Sequence, residues 1–114
     1  MPFLKLQTNA NLSAEARSTV LAVASRTVAR TLGKPEHYVM VALEAAVPML
    51  LAGSDAPCLY MELKSIGLPD DHTADLSRAL CEALGPTLGI PPERIYIEFS
   101  VAEPHLWGWN GATF

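Results

Sequence analysis

Residues 31–41 read TLGKPEHYVMV, and residues 87–99 read TLGIPPERIYIEF. Both segments contain the end of a helix, a glycine, a proline, an acidic residue and then an alternating strand. The offset between them is about 56 residues with one inserted residue, and a repeat of this length indicates two copies of one supersecondary unit. The sequence therefore predicts a single domain over residues 1–114, with similar halves of about 1–56 and 57–114.

The first half is predicted to form a strand, a helix and a second strand. Apolar and polar residues alternate over residues 3–7, as in a half-buried strand. A helix follows over about 13–32, where Ser13 can cap its start and Gly33 can end it. A second strand is predicted over 38–44.

The second half repeats this plan with a strand over 58–64, a helix from about Asp71 and a strand over 94–101. The dipeptide Gly85-Pro86 interrupts the apolar pattern of the helix. Because proline has no N–H to donate to the carbonyl four residues earlier, we expect the helix to kink or fray there.

The order of elements predicts an α+β fold, a two-layer sandwich built from a duplicated β-α-β unit. Right-handed crossovers within each unit place both helices on one face of a four-stranded mixed sheet. The other face is left bare. We expect that face to be apolar and to be covered, most simply by another copy of the chain.

Composition narrows the possible partners. Half of the residues are apolar and only 18% are charged, which favours apolar surface buried against another chain, although a tight monomer is also compatible. The net charge of −4 and the scattered basic residues argue against nucleic-acid binding. No stretch reaches the roughly 18 apolar residues of a membrane span, so no membrane partner is expected.

The N-terminus lacks the cationic and apolar regions of a signal peptide. Two cysteines, Cys58 and Cys81, fit reduced thiols and a cytoplasmic protein, with non-classical secretion left open. The three histidines have no ligand spacing, so neither a metal nor a cofactor is expected.

Pro2 offers an unusual chemical possibility. If Met1 is removed, the nitrogen of Pro2 becomes a free secondary amine that can take up or release a proton. The simpler interpretation is a proline that merely begins a strand. Likewise, Lys34 alone fits an exposed residue at a helix end, Tyr96 a half-buried strand aromatic, and the two tryptophans core or interface anchors.

Taken together and in order, several features resemble the macrophage migration inhibitory factor family, and the similarity runs over nearly the whole chain. These features are Pro2 after Met1, the repeated strand–helix–strand unit, Gly33-Lys34-Pro35, Ser65-Ile66-Gly67, Arg94-Ile95-Tyr96-Ile97 and the tail GWNGATF at 108–114.

The resemblance implies a homotrimer whose sheets wrap into a central barrel, with three active sites between subunits. It also implies keto–enol tautomerase activity on phenylpyruvate-like 2-keto acids, with Pro2 as catalytic base and Lys34 beside it. The substrate-binding positions that it implies are Tyr38, Ser65, Ile66, Trp109, Phe114 and, from the neighbouring subunit, Tyr96.

These residue types suit proton transfer next to a carbonyl. A base works best when its pKa lies near the working pH. Burial against Ile66, Trp109 and Phe114 and a nearby Lys34 ammonium would both lower the pKa of the Pro2 amine. Lys34 can also hold the substrate carboxylate and stabilise an enolate oxygen.

The chain departs from the family pattern at several positions. Glu98 stands where the best-known members carry an amide, and Trp107 replaces a smaller residue and should narrow the pocket mouth. Residues 58–61 lack the second cysteine of a Cys-x-x-Cys motif, which argues against thiol–disulfide activity. Leu12 and Ala46 replace charged residues tied to receptor binding in the mammalian cytokine.

Lys64 is a hypothetical second cation for carboxylate binding, although a strand lysine can equally point to solvent. Two alternative functions stay open at this stage. One is a cytokine-like or other interaction protein with a vestigial tautomerase pocket. The other is a hydratase or dehalogenase of small unsaturated acids in which Glu98 activates water, although the arginine pair that such chemistry needs is not apparent.

Overall fold

A computed structural model describes residues 1–114 of the chain. The elements are β1 Pro2–Thr8, α1 Ala14–Leu32, β2 Met40–Glu44, β3 Leu59–Ile66, α2 Thr73–Leu88, β4 Ile95–Ala102, β5 Gly108–Trp109 and β6 Ala112–Thr113, with 3₁₀ turns at Glu36–Tyr38, Pro92–Arg94 and Pro104–Leu106. The structure confirms the α+β fold: four strands in the order β2-β1-β3-β4 form a mixed sheet, and β5 and β6 form a small C-terminal hairpin.

The sheet has a simple pairing scheme. The outer pairs β1–β2 and β3–β4 are parallel, whereas the central pair β1–β3 is antiparallel. Alternate residues of β1 and β3 are buried and pack against both helices in one hydrophobic core. Both helices therefore cover the same face of the sheet, as the sequence predicts. None of the helices combines the length with the apolar character that crossing a bilayer requires.

The ends of α1 follow directly from its sequence. The Ser13 hydroxyl accepts a hydrogen bond from the Ala16 amide at 3.0 Å, and Gly33 ends the helix in the left-handed region at φ 62°. Both are the expected capping arrangements.

The end of α2 differs from the prediction. The helix does not fray at Gly85-Pro86 but continues to Leu88 and ends at Gly89. Pro86 lies in the last turn, where its missing N–H affects a single helical bond. The returning chain also holds this turn, because the Ile90 amide donates to the Gly85 carbonyl at 2.9 Å.

The predicted start of β2 at Tyr38 is wrong by two residues. Residues 36–38 form a 3₁₀ turn after Pro35, and the strand begins at Met40. The second half repeats this detail, with a turn over residues 92–94 before β4. Tyr38 thus projects from a turn at the edge of the sheet.

The position of the single-residue insertion in the repeat also needs correction. Gly33 corresponds to Gly89 with an offset of 56 residues, and no residue is inserted between these glycines and the strands that follow. Buried Leu4, in contrast, corresponds to buried Met61 with an offset of 57, because 56 would pair it with half-exposed Tyr60. A one-residue shift exchanges the faces of a strand. The extra residue therefore lies in the first half, between β1 and the end of α1.

The bare face of the sheet is polar, so the expectation of an apolar face is wrong. Lys5 lies 3.7 Å from Glu44, and the Gln7 amide donates to Glu44 at 2.7 Å. On the neighbouring strands, the Tyr60 hydroxyl lies within hydrogen-bond distance of Glu62 and Glu98. A polar face of this kind can face water. The large exposed apolar side chains on this face lie on its two edge strands, where Met40 is 66% and Tyr96 is 64% exposed.

The C-terminal hairpin is set by its turn. Asn110 and Gly111 have φ values of 53° and 74°, which a two-residue type I′ turn requires. Trp109 pairs with Ala112 across this turn, and the Phe114 amide donates to the Trp107 carbonyl at 3.2 Å. The hairpin thereby fixes the aromatic residues at the chain end.

Candidate active site

Pro2 is the first residue of β1 and lies opposite Ser65 of β3. Its side chain is fully buried. A cavity of about 480 Å³ opens beside it. The cavity is lined by Met1, Pro2, Phe3, His37, Tyr38, Val39, Met40, Lys64, Trp107, Gly108 and Trp109.

The environment at this end of β1 disfavours a positive charge. The pKa of the Met1 amino group is lowered, first by burial and then by the positive charge of Lys34. Both effects act against the protonated form of an amine. An amine at this end of β1 is therefore neutral at a lower pH than an amine in water.

Lys34 is positioned by the end of α1 and by β3. Its amide donates to the Ala29 carbonyl at 3.0 Å, directly after the left-handed Gly33. Its Nζ donates to the Ile66 carbonyl at 3.2 Å, and the buried Ser65 hydroxyl donates to the same oxygen at 3.0 Å. Lys34 makes no ion pair within 4.0 Å with a carboxylate. Its charge is thus available to an anion.

Three aromatic side chains form a continuous wall. The rings of Trp109 and Phe114 are stacked, with centroids 5.4 Å apart. Tyr38 meets both edge-on, at 5.9 Å from Trp109 and 6.4 Å from Phe114. Such pairs add stability beyond their buried area. The wall joins the turn before β2 to the C-terminal hairpin.

Lys64 lies next to Ser65 in β3 and lines the same cavity as Pro2. Its side chain is about half exposed, and its Nζ is 4.0 Å from Glu62. Lys64 therefore lines the cavity while about half of its side chain is exposed to solvent.

Tyr96 and Glu98 lie far from Pro2 within one chain. In the sheet, Tyr96 pairs with Tyr60, and Tyr60 pairs with Gln7 of β1. Because Gln7 is about 17 Å from Pro2 along β1, Tyr96 lies that far along the strands from Pro2 and two strands away from it. Glu98 accepts a hydrogen bond from the Tyr60 hydroxyl at 2.8 Å. The structure therefore does not bring these two residues to the cavity of their own chain.

Some cavity residues were missed by sequence reasoning. His37 lies 4.3 Å from Tyr38 between ring centroids, and Phe3 is opposite Met40 in the β1–β2 pair. The sequence could have indicated Phe3 as a cavity residue, because Phe3 directly follows Pro2. The position of Met40 depends on the parallel register, which the residues alone do not reveal.

A larger cavity of about 830 Å³ lies along α2, on a different part of the surface. It contains none of the predicted site residues and has Cys81 and Arg78 in its lining. The smaller cavity has the convergent polar and aromatic groups typical of a binding site. The structure contains no group of three or more His, Cys, Asp or Glu residues arranged to hold a metal.

Comparison with known proteins gives a consistent result. The family model "Macrophage migration inhibitory factor (MIF)" matches residues 1–114. The chain is 36% identical over 119 residues to a macrophage migration inhibitory factor homolog of Brugia malayi, covering 100% of this chain and 99% of that protein. It is 33% identical over 97 residues to macrophage migration inhibitory factor of Xenopus tropicalis, covering 84% of each.

Solved structures agree. A macrophage migration inhibitory factor homologue from Prochlorococcus marinus matches with a TM-score of 0.90 and 42% identity over 98% of each chain. Macrophage migration inhibitory factor from Trichinella spiralis matches with a TM-score of 0.89 and 34% identity, over 98% of this chain and 99% of that one.

Proposed function

Because this chain belongs to the macrophage migration inhibitory factor family of the tautomerase superfamily, we propose that it is an isomerase, a keto–enol tautomerase of phenylpyruvate-like 2-keto acids. Pro2 is the catalytic base in this proposal. The observation that carries it is the cavity beside Pro2, in an environment that disfavours a protonated amine and with Tyr38 and Trp109 of the aromatic wall in its lining. Lys34 is not part of that lining but bonds the Ile66 carbonyl, one residue beyond the partner of Pro2 in the sheet.

The base requires removal of Met1, which converts the amide nitrogen of Pro2 into a secondary amine. The lowered pKa of the neighbouring Met1 amine supports a neutral amine here. Pro2 is the buried residue next to this amine, so burial should also act against the protonated form of a Pro2 amine. A neutral amine near pH 7 is the form that accepts a proton.

The proposed reaction moves one proton without a cofactor. The Pro2 nitrogen removes a proton from C3 of the keto acid, and the electron pair of that C–H bond forms the C2–C3 double bond while charge develops on the C2 oxygen. The Pro2 ammonium then returns its proton to that oxygen. Lys34 holds the substrate carboxylate and stabilises the developing charge.

The remaining residues bind the substrate. The Tyr38, Trp109 and Phe114 wall offers aromatic surface to an aryl ring. Trp107 narrows the cavity entrance, and the carbonyl of Ile66, which also accepts from Ser65, holds Lys34 in place.

The proposal includes a homotrimer with a central barrel. Tyr96 and Glu98 are too far from their own Pro2, which supports contributions from a neighbouring subunit. The polar face of the sheet suits the wall of a water-filled barrel.

A second candidate is an interaction protein with a vestigial pocket. Leu50 and Leu106 are each 72% exposed, and neither lines the cavity beside Pro2. Hydratase or dehalogenase chemistry has less support, because no arginine lines the cavity and Glu98 is bonded to Tyr60. A cytoplasmic location is proposed from the free thiols of Cys58 and Cys81.

The test combines intact mass with turnover of phenylpyruvate. We expect a mass without Met1, clear turnover by the wild type and loss of at least about a hundredfold in kcat/KM in Pro2→Gly. Pro48→Gly, in an exposed loop, is the matched control and should retain full activity. Retained Met1, or equal activity in Pro2→Gly, would reject Pro2 as the base. No turnover by the Met1-free wild type would favour the interaction role.

A further inference from the structure

Lys64 is a charge that the proposed proton transfer does not need. Pro2 lies opposite Ser65, and Ser65 lies between Lys64 and Ile66 on β3. The Cα atoms of Lys64 and Ile66 are therefore about 7 Å apart along the strand. Because the Lys34 ammonium bonds the Ile66 carbonyl, the two lysines are placed at the two neighbours of Ser65, the residue opposite Pro2.

The cavity has no acidic group to balance these charges. Its lining contains no aspartate or glutamate. The one carboxylate within 4.0 Å of the Lys64 ammonium is Glu62, at that limiting distance, and its other oxygen is 3.0 Å from the Tyr60 hydroxyl. The region around Pro2 is thus positive at two separate points, which is complementary to a ligand with two negative groups.

We propose that the preferred substrates are dianions: aryl 2-keto acids that carry a second carboxylate on the ring. The 2-keto carboxylate lies on Lys34, and the distal carboxylate lies on Lys64 at the half-exposed end of the cavity. The cavity that Lys64 lines has a volume of about 480 Å³, which is in the range that holds such a molecule. Lys34 lies outside that lining, at the Ile66 carbonyl one residue beyond the partner of Pro2. This inference rests on the proposed function, because it assigns the substrate class of the same site.

The expected preference is modest because Lys64 is about half exposed. A partly solvated charge pair corresponds to about a two- to fivefold difference in affinity. The preference should shrink as salt is added, since exposed charges are screened.

The experiment measures binding separately from turnover. The probes are two unreactive planar acids, the monoanion trans-cinnamate and the dianion 4-carboxycinnamate. The chain has two tryptophans, Trp107 and Trp109, and both line the cavity, so quenching of their fluorescence reports binding. The compared proteins are wild type, Lys64→Met, Lys64→Arg and Lys5→Met. Lys5 is the matched control, because it lies on the same sheet face, pairs with Glu44 and does not line the cavity.

We expect the wild type, Lys64→Arg and Lys5→Met to bind the dianion about two- to fivefold more tightly than the monoanion. In Lys64→Met the ratio should fall to about one. A wild-type ratio near one, or an unchanged ratio in Lys64→Met, overturns the inference.

Phenylpyruvate turnover, measured in parallel, separates the two proposals. Turnover by a wild type that shows no dianion preference rejects the inference and leaves the tautomerase intact. Lys64-dependent dianion binding without turnover supports the two-lysine site and rejects the tautomerase.

Discussion

Both the charge of Lys34 and its position near Pro2 matter for the proposed reaction. Its ammonium lowers the pKa of the chain-terminal amine and is held by the Ile66 carbonyl. We expect Lys34→Ala to lower kcat/KM by an amount that corresponds to a loss of about 1–3 kcal/mol of transition-state stabilisation. Loss of the nearby cation should also raise the pKa of the base, so the acidic limb of the kcat/KM profile should move to higher pH. The pH–rate profile measures both effects.

Lys5→Ala is the control for this prediction, because Lys5 is a surface lysine paired with Glu44. An acidic limb that stays in place in Lys34→Ala would show that Lys34 does not tune the base.

Tyr60 is a second residue with a testable charge environment. Its pKa is raised, chiefly by the hydrogen bond to Glu98, then by burial and by Glu62. A raised pKa means that the folded chain keeps this proton after the unfolded chain has lost it, so this stability is present below about pH 10 and is lost above it. Tyr60→Phe should cost less than about 1 kcal/mol at pH 8, because the site is solvated.

Urea denaturation of both proteins at pH 8 and pH 10.5 tests this sign. The difference in unfolding free energy between the wild type and Tyr60→Phe should shrink at the higher pH. A difference that grows with pH would contradict the assignment.

Among the secondary-structure elements, α2 shows where packing overrides local preference. A Cβ on Gly85 would lie 2.9 Å from the Ile90 carbonyl oxygen, which is backbone and cannot move cheaply. Glycine-to-alanine changes inside helices normally stabilise by about 1 kcal/mol. Here we expect Gly85→Ala to destabilise by about 1–3 kcal/mol in urea denaturation.

Ala79→Gly is the matched control on the same helix, and it should destabilise by about 1 kcal/mol through propensity alone. Stabilisation by Gly85→Ala would show that the last turn of α2 is not held by the close approach to Ile90.

The limits of sequence reasoning at this scale have physical causes. The start and end of α1 were predictable because Ser13 and Gly33 act on adjacent backbone groups. The continuation of α2 past Pro86 was not, because it depends on a contact with Ile90 after the chain reverses. The alternation of Lys5 and Gln7 with leucines indicates one polar side of β1, whereas the overall apolar composition favours a second apolar face.

For the molecule as a whole, the resemblance to the family predicted one site with Pro2, Lys34 and aromatic residues. In the structure Tyr38, Trp109 and Phe114 contact one another, and Lys34 bonds the Ile66 carbonyl next to the partner of Pro2. The resemblance did not locate Phe3 and Met40, whose proximity depends on the pairing of β1 with β2. Tyr96 and Glu98 lie on β4, two strands from Pro2, so the proposed site would take them from another chain.

Mixed oligomers test that arrangement directly. Pro2→Gly chains lack the base, and Tyr96→Ala chains lack the tyrosine that the neighbour is proposed to supply. If each site takes Pro2 from one chain and Tyr96 from another, equal random mixing in trimers should restore about a quarter of the sites. We expect turnover to rise clearly above that of either variant after the two are refolded together.

A second mixture provides the control for this complementation. Pro2 and Lys34 lie near each other within one chain, because Lys34 bonds Ile66, one residue beyond the partner of Pro2 in the sheet. Mixing Pro2→Gly with Lys34→Ala should therefore restore nothing, whatever the oligomer. A site shared between subunits predicts restored turnover in the first mixture and none in the second. Restored turnover in both mixtures, or in neither, would contradict such a site.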